Sequence, residues 1–528
     1  MHHSIIKTMG ESGYMTTGKS KVGINATLLL ASGLICKVVG ALFRLPLTNV
    51  LGVEGIGVFQ LIMSTFSFAL VLSSGGATVA LSKLVASHRA KGDFVKLNAC
   101  FRRAMFQAVG LATLLGVLLA LCWKNISTFQ HINPNKSYLL FVILLPLGAG
   151  MAVFRGYFQG QENMLPTTVS QILEQSAKFV LGLALAVVFS KQSLTSGVFG
   201  AFLGITLSEV LTVALLFAWH LRKRKRCVLY RKAKNLWATR KEYDKSNFLL
   251  TLSAISLPLA NMIDSFFIVG RLQMAGLSAS RATELFGVQT GIVGTMLNLP
   301  LSISVAVAAA CLPNFAFLIS KGENVGSAIE KGFKLLLFFV LPTTFGLAAV
   351  AKVLYSLIYP MVTYEILLFA TNLTLYSAFA TVFTALMQYA IMILQAKGEF
   401  GFVAVLTAMA SVVKVVLTIC LAGFSFVNVY ALAIGNLVFS GIVCVVALAK
   451  LKRSFNFKIS FWQMGNLLVA TLLMYVSASA FLQVGSLVPM LALIGAVLVG
   501  VFVYFFAVAP FAIKTLFPLF HKKETQNV

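Results

Sequence analysis

Lys37 and Arg44 sit where charge is costly. Both fall inside the apolar run 23–50, which contains no acidic residue. They are seven positions apart, so a helix places them on one face, two turns from each other. A charge at the bilayer centre costs about 2.5–3.5 kcal/mol on insertion scales, which makes such residues functional candidates by default. Two stacked cations with no acid nearby suit an anionic ligand such as a phosphate or pyrophosphate. The competing readings are an interhelical pair with a distant acid and snorkelling of Arg44 to the interface.

Other apolar runs carry polar residues of the same kind. Gln171, Glu174 and Lys178 form one stripe at i, i+3 and i+7. Glu174 and Lys178 read equally as a self-neutralised i,i+4 pair or as the lining of a polar cavity. Glu209 and Asp264 each stand mid-run, and Asn261 and Ser265 flank Asp264. Asp264 needs a partner, and the candidates are Lys37 or Arg44, a coupling cation, or a proton. Lys414 has no acid beside it and must face an interior or a partner. Gln289, Asn298, Gln388 and Asn436 add uncharged polarity, for which ordinary helix–helix hydrogen bonding is the bland reading.

From these residues we expect substrate contacts at Lys37, Arg44, Glu174, Lys178, Lys414, Asn298 and Gln388. Ion coupling is expected at Asp264 and Glu209. The sequence has no GxSxG, HExxH or Walker A motif in a suitable context and no metal-ligand spacing. An enzyme, a metal site and an ATP site are therefore not expected. Transport would draw on a sodium or proton gradient, the membrane potential or the substrate's own gradient.

The elements that must position these residues follow from composition. Of 528 residues, 59% are hydrophobic and 11% charged, against roughly a quarter charged in soluble domains. Fourteen apolar runs are each long enough to span a bilayer. They are 23–50, 55–84, 101–123, 137–158, 166–190, 195–221, 247–271, 286–313, 333–358, 364–395, 401–423, 425–449, 463–485 and 487–513. The seven cysteines form no CxxC pair and read as small hydrophobes or free thiols. No cleavable signal peptide is evident.

The net charge of +27 has a topological explanation. With the N-terminus in the cytoplasm, 32 of the 42 Lys and Arg residues fall in cytoplasmic segments and six in external loops. The cytoplasmic set takes in Arg155, near the end of run 137–158; the four left over, well within helices, are Lys37, Arg44, Lys178 and Lys414. The block from Arg222 to Lys245 is the richest in basic residues. It reads as a cytoplasmic linker against anionic lipid headgroups. It has no folded module or interleaved aromatics, so a nucleic-acid partner is not expected.

The two halves of the chain match. At an offset of 236 positions, Gln159 meets Gln395 and Lys178 meets Lys414. Lys91-Gly-Asp93 likewise matches Lys321-Gly-Glu323, at an offset of 230. Such internal symmetry is common in transporters. The organisation read from it is all-α and polytopic. A cytoplasmic tail (1–22) precedes a six-helix lobe (23–221) and a basic linker (222–246). A second, parallel six-helix lobe (247–450), two additional helices (451–513) and a cytoplasmic tail (514–528) follow.

Three stretches carry a family resemblance. The first comprises Gly40-Ala-Leu-Phe-Arg-Leu-Pro-Leu47, Leu51-Gly-Val-Glu-Gly-Ile-Gly57, Ser73-Ser-Gly-Gly-Ala77 and Leu81-Ser-Lys-Leu-Val85. The second is Arg155-Gly-Tyr-Phe-Gln-Gly160 with Pro166 and Ser170-Gln-Ile-Leu-Glu174. The third is Asn261-Met-Ile-Asp-Ser265 with Val269-Gly-Arg-Leu272. Together they resemble the polysaccharide-exporter branch of the MOP flippase superfamily, in particular the stage V sporulation protein B group.

The resemblance implies a flippase for an undecaprenyl-pyrophosphate-linked peptidoglycan precursor or oligosaccharide, working by alternating access in the bacterial cytoplasmic membrane. It also implies that Lys37 and Arg44 approximate the cationic first-helix pair of the related MurJ-type lipid II flippases, and that the last two helices form a lipid groove. Runs two and eight lack the further mid-membrane cations of those relatives. The alternatives are a cation-coupled multidrug exporter of the MATE type, and a non-transporting partner of cell-wall synthases.

Overall fold

A bilayer offers no water to a free N–H or C=O, so a spanning chain must satisfy its backbone within helices or a closed barrel. This chain uses helices. The structure, a computed structural model, describes residues 2–224, 236–321, 325–457, 461–483 and 488–515. Among them every regular element is helical. In chain order these are α1 (His2–Ser74), α2 (Ala77–Ala90), α3 (Phe94–Leu121), α4 (Trp123–Phe129), α5 (Phe141–Gly160), α6 (Leu165–Ser190), α7 (Leu194–Arg224) and α8 (Leu236–Met274). They continue with α9 (Ala279–Gly287), α10 (Gly294–Ser320), α11 (Gly326–Ile358), α12 (Tyr364–Ala396), α13 (Phe400–Ala422), α14 (Tyr430–Phe455), α15 (Phe461–Gln483) and α16 (Pro489–Thr515). A 3-10 turn (Lys136–Leu140) precedes α5, and a π-helical turn (Val288–Val293) joins α9 to α10.

Among the described residues, thirteen stretches are long and apolar enough to cross a membrane, and the first, Val38–Ala90, has 53 residues. That is about 80 Å of helix, more than twice a hydrocarbon core of about 30 Å. Gly52 resolves the excess, because its φ of 71° and ψ of 174° break α1 into two helices. Without a Cβ, glycine adopts this backbone at little cost. The stretch therefore makes two passes, which gives the fourteen crossings expected. The chain is a multi-pass membrane protein.

Chain contacts define two compact units. One collects the described residues of Met1–Phe43, Ile62–Ser127 and Pro134–Pro258; the other collects those of Arg44–Leu61, Thr128–Asn133 and Leu259–Val528. In the first unit α6 packs along α7, and α5 packs on α2 and α3. The α6–α7 seam is built on small residues. A Cβ at Gly204 would lie 2.4 Å from Gly182 Cα, so the two backbones nearly touch. In the second unit α12 contacts α10, α11 and α14, α13 packs on α14, and α15 and α16 pack on α11. Segment 44–61 belongs here: Gly57 and Gly287 leave no room for a Cβ, at 2.2 Å from Thr283 O and 2.3 Å from Val53 O.

The internal repeat appears in the backbone. Glu162 (φ 58°) and Gly398 (φ 90°) occupy left-handed positions 236 residues apart, after α5 and after α12. The turns bond identically. Glu162 N donates to Gln159 O and Gly398 N to Gln395 O, both at 2.9 Å, while Asn163 N reaches Phe158 O and Glu399 N reaches Leu394 O. The local repeat read from Gln159 and Gln395 thus extends to turn geometry.

The α6–α7 seam yields a prediction. Gly204→Val should cost about 1–3 kcal/mol through overpacking. The expected result is a lower thermal midpoint of the detergent-purified protein and loss of the monodisperse peak in size-exclusion chromatography, with Gly110→Val, where nothing lies within 4 Å, unchanged.

Candidate functional site

Each unit holds a cluster of charged groups within its spanning helices. In the first unit the cluster draws on α5, α6 and α7, with α1 residues beside it. Arg155 Nη2 lies 2.7 Å from Glu174 Oε2, and their side chains are only 16% and 18% exposed. Arg155 Nε also donates to Ser170 Oγ at 3.1 Å, and Gln175 Nε2 to Glu174 Oε1 at 3.3 Å. Lys178 stands 5.8 Å from the centre of the Phe43 ring, within cation–π range. Glu209 is buried on α7, and its Oε2 has no hydrogen-bond partner among the described residues. It lies within electrostatic range of Glu174, Lys178 and Arg155. Two acids and two cations make this cluster formally neutral, which lowers the cost of holding it in a low-dielectric setting.

The sequence offered Glu174 and Lys178 to each other, and the structure ion-pairs Glu174 with Arg155 instead. Arg155 was counted among cytoplasmic loop cations, but it sits within α5, five residues from the helix end. The signal that would have found it is charge balance, because Glu174 and Glu209 have one in-run lysine, Lys178, between them and need a second cation.

In the second unit the pair is deeper. Lys414 Nζ on α13 lies 2.9 Å from Asp264 Oδ2 on α8, with side chains 2% and 3% exposed. Lys414 also donates to Asn261 Oδ1 at 2.5 Å. Asp264 thus finds its partner on its own unit, in the cation that had no acid beside it in sequence. Gln388 accepts from Ser304 Oγ at 3.2 Å, half-buried between α10 and α12. Asn298 is exposed on α10. Gln289, within the π-helical turn, shares a buried hydrogen bond of 3.3 Å with Ser377.

Arg44 belongs to the second unit and is half-buried. Among the described residues no carboxylate lies within ion-pair distance of it. The Lys37 side chain lies outside the described residues, as do positions 225–235 of the basic linker and 516–528 of the C-terminal tail.

The second unit also contains an apolar cavity of about 530 Å³. Leu299, Pro300 and Ile303 of α10 and Phe338 and Leu347 of α11 line one side. Met474 of α15 and Ala496, Val501 and Phe505 of α16 line the other.

Comparison with known proteins places this architecture. The family model for polysaccharide biosynthesis proteins matches residues 22–318, more than half of the chain. The chain belongs to the polysaccharide biosynthesis protein family. Within that family's reach, stage V sporulation protein B of Bacillus subtilis strain 168 is 27% identical over 303 residues, covering 54% of this chain and 56% of the relative. The chain thus spans little more than half the length of that relative. Lipid II flippase MurJ of the same organism is 24% identical over 433 residues, covering 75% of this chain and 76% of the relative.

Among solved structures, a lipid II flippase MurJ in an inward closed conformation superposes with a TM-score of 0.69 at 14% identity. It covers 92% of this chain and 99% of that one. An inward-facing multidrug resistance MATE family transporter superposes at 0.62 and 14% identity, covering 81% and 98%. This family member therefore has the MOP superfamily fold, with two six-helix lobes and two further helices. The relatives named for an activity are flippases and transporters rather than enzymes.

The Arg155–Glu174 contact can be measured. A double-mutant cycle of Arg155→Leu and Glu174→Leu, read by thermal unfolding, should give a coupling energy of about 0.5–3 kcal/mol. The Arg155 single variant is expected to be the most destabilised, because it leaves two acids, Glu174 and Glu209, with Lys178 alone.

Proposed function

We propose that this protein is a flippase for a lipid-linked, pyrophosphate-bearing saccharide, moved outward across the bacterial cytoplasmic membrane by alternating access. One observation carries the reading. Lys178 and Lys414 both have acidic groups in range, whereas Arg44 is a half-buried guanidinium with no carboxylate at ion-pair distance among the described residues. A guanidinium presents paired N–H donors that match phosphate oxygens. Arg44, with Lys37 seven residues before it on the same helix, would hold the pyrophosphate of the substrate.

The apolar cavity beside α15 and α16 supports a hydrocarbon ligand, since hydrophobic side chains line it almost throughout. A polyprenyl chain there would suit a lipid-linked substrate, and Asn298 and Gln388 in the second unit and Glu174 and Lys178 in the first are the polar residues proposed to contact its saccharide. The lobes 23–221 and 247–450 would be the moving bodies, with 451–513 as the added lipid-binding pair. Positive charge concentrated in one set of loops supports cytoplasmic termini and a linker, 222–245, resting on anionic headgroups. Glu209, buried and unpartnered on one carboxylate oxygen, is the stronger candidate for a proton-coupled step.

The multidrug-exporter alternative draws on the similarity to the MATE fold. Its usual cationic substrates are poorly matched by an Arg44 with no carboxylate at ion-pair distance among the described residues. A third reading, a non-transporting partner of cell-wall synthases, predicts no movement of lipid by the protein alone.

The test is translocation of a fluorescent undecaprenyl-pyrophosphate saccharide in liposomes containing only this protein. Wild type should flip it. Lys37→Ala/Arg44→Ala should lose flipping by tenfold or more while inserting normally, and Arg44→Ala alone should lose part of it. Full activity in the double variant would overturn the anion-site assignment.

A further inference from the structure

The π-helical turn between α9 and α10 interrupts a spanning segment of the second unit. Its wide ring closes with Gly294 N donating to Gln289 O, five residues back. Such turns are rare and occur mostly at functional sites. Just beyond it, Thr295 is 1% exposed, and its hydroxyl has no hydrogen-bond partner among the described residues. Neighbouring hydroxyls behave differently. Those of Thr283, Thr290 and Ser302 each donate to the carbonyl four residues back, at 2.9, 2.7 and 2.8 Å. For Thr295 that carbonyl is Gly291 O, inside the widened turn. The π geometry thus accounts for the unpaired hydroxyl, and an unpaired buried hydroxyl is destabilising.

Two side chains hold the turn open. Gln60 Nε2 donates to Thr290 O at 3.1 Å, and Gln289 exchanges 3.3 Å contacts with Ser377 Oγ. Both belong to the second unit, as does the rest of the surroundings. The helix before the turn is fixed, because Gly57 lies against Thr283 and Gly287 against Val53 with no room for a Cβ. The helix after it is weakened at Pro300, which has no N–H to offer Met296 O. Residues 294–299 therefore lie between a π turn and a proline. Closing the turn to α geometry advances them by about one residue, or about 100°. Leu297, now buried, then takes the direction of Asn298, now exposed, and Thr295 regains Gly291 O as an acceptor.

We infer that residues 294–299 form a rotary joint with two registers. In the π register Gln60 and Ser377 clamp the turn. In the α register the clamps let go and the Thr295 hydroxyl bonds Gly291 O. One set of hydrogen bonds is exchanged for the other, which makes the element bistable. The rotation changes the face on which Asn298 stands. Its consequence for saccharide contact rests on the flippase reading, whereas the change of register does not and is tested without substrate.

The experiment is labelling of single introduced cysteines by a water-soluble maleimide in the full-length protein in detergent. Mass spectrometry identifies the labelled peptide, so the seven native cysteines stay in place. Asn298→Cys should label at least tenfold faster than Leu297→Cys in the otherwise wild-type chain. Gln60→Leu or Ser377→Ala removes a clamp. Either should raise labelling at 297 by about tenfold, the scale of one net hydrogen bond, and lower it at 298. Adding Thr295→Val, which keeps the shape and removes the bond that favours the α register, should return both positions to their starting rates.

Three results would overturn the inference. Labelling that rises at both positions would mean local unfolding rather than rotation. Rates that neither clamp variant changes would mean a turn with one register. Failure of both clamp variants to fold would mean that no folded α register exists.

Discussion

The low dielectric of the bilayer decides which charges this chain can keep. A lone charge there costs several kcal/mol, so each one must be neutralised within the protein or held for a ligand. The first unit answers with a four-membered set: Arg155 bonded to Glu174, and Lys178 and Glu209 within range. The second answers with Lys414 buried against Asp264 and Asn261. Helix packing follows the same demand. α6 brings the Ser170–Glu174–Lys178 stripe to Arg155, while the Gly182–Gly204 contact fixes α6 against α7, the helix that carries Glu209. After this neutralisation Arg44 remains, and the proposed function rests on it.

Much of this was legible in the sequence. The fourteen crossings come from run length alone, because about 20 apolar residues are required wherever a helix spans. The repeat was visible in Gln159 and Gln395, and its turns prove to share a left-handed residue at the same offset. The charges within spanning runs were also visible, since Lys37, Lys178, Glu209, Asp264 and Lys414 all stand in apolar runs.

Their partners were not legible. Asp264 and Lys414 are 150 positions apart, and no local pattern specifies which distant helix faces which. Glu174 has a lysine one turn away, the favoured spacing, yet it pairs with Arg155 nineteen residues back. Arg155 escaped notice because it lies near a helix end, where loop counting absorbs cations. Segment 44–61 spans the end of the first apolar run and the start of the second, yet packs with the second unit. The physical cause is the close approach of Gly57 to Thr283 and of Gly287 to Val53, which only the folded chain reveals.

The central claim is that the uncompensated charge inside this membrane protein is positive and selects an anionic lipid. The most direct measurement is equilibrium binding to the purified protein of a fluorescent polyprenyl-pyrophosphate saccharide, competed in turn by the matching polyprenyl alcohol and by a cationic aromatic drug. The account predicts that binding requires the pyrophosphate, weakens as salt is raised, and is untouched by the cationic drug. Tighter binding of the drug, or equal binding of the uncharged alcohol, would contradict it.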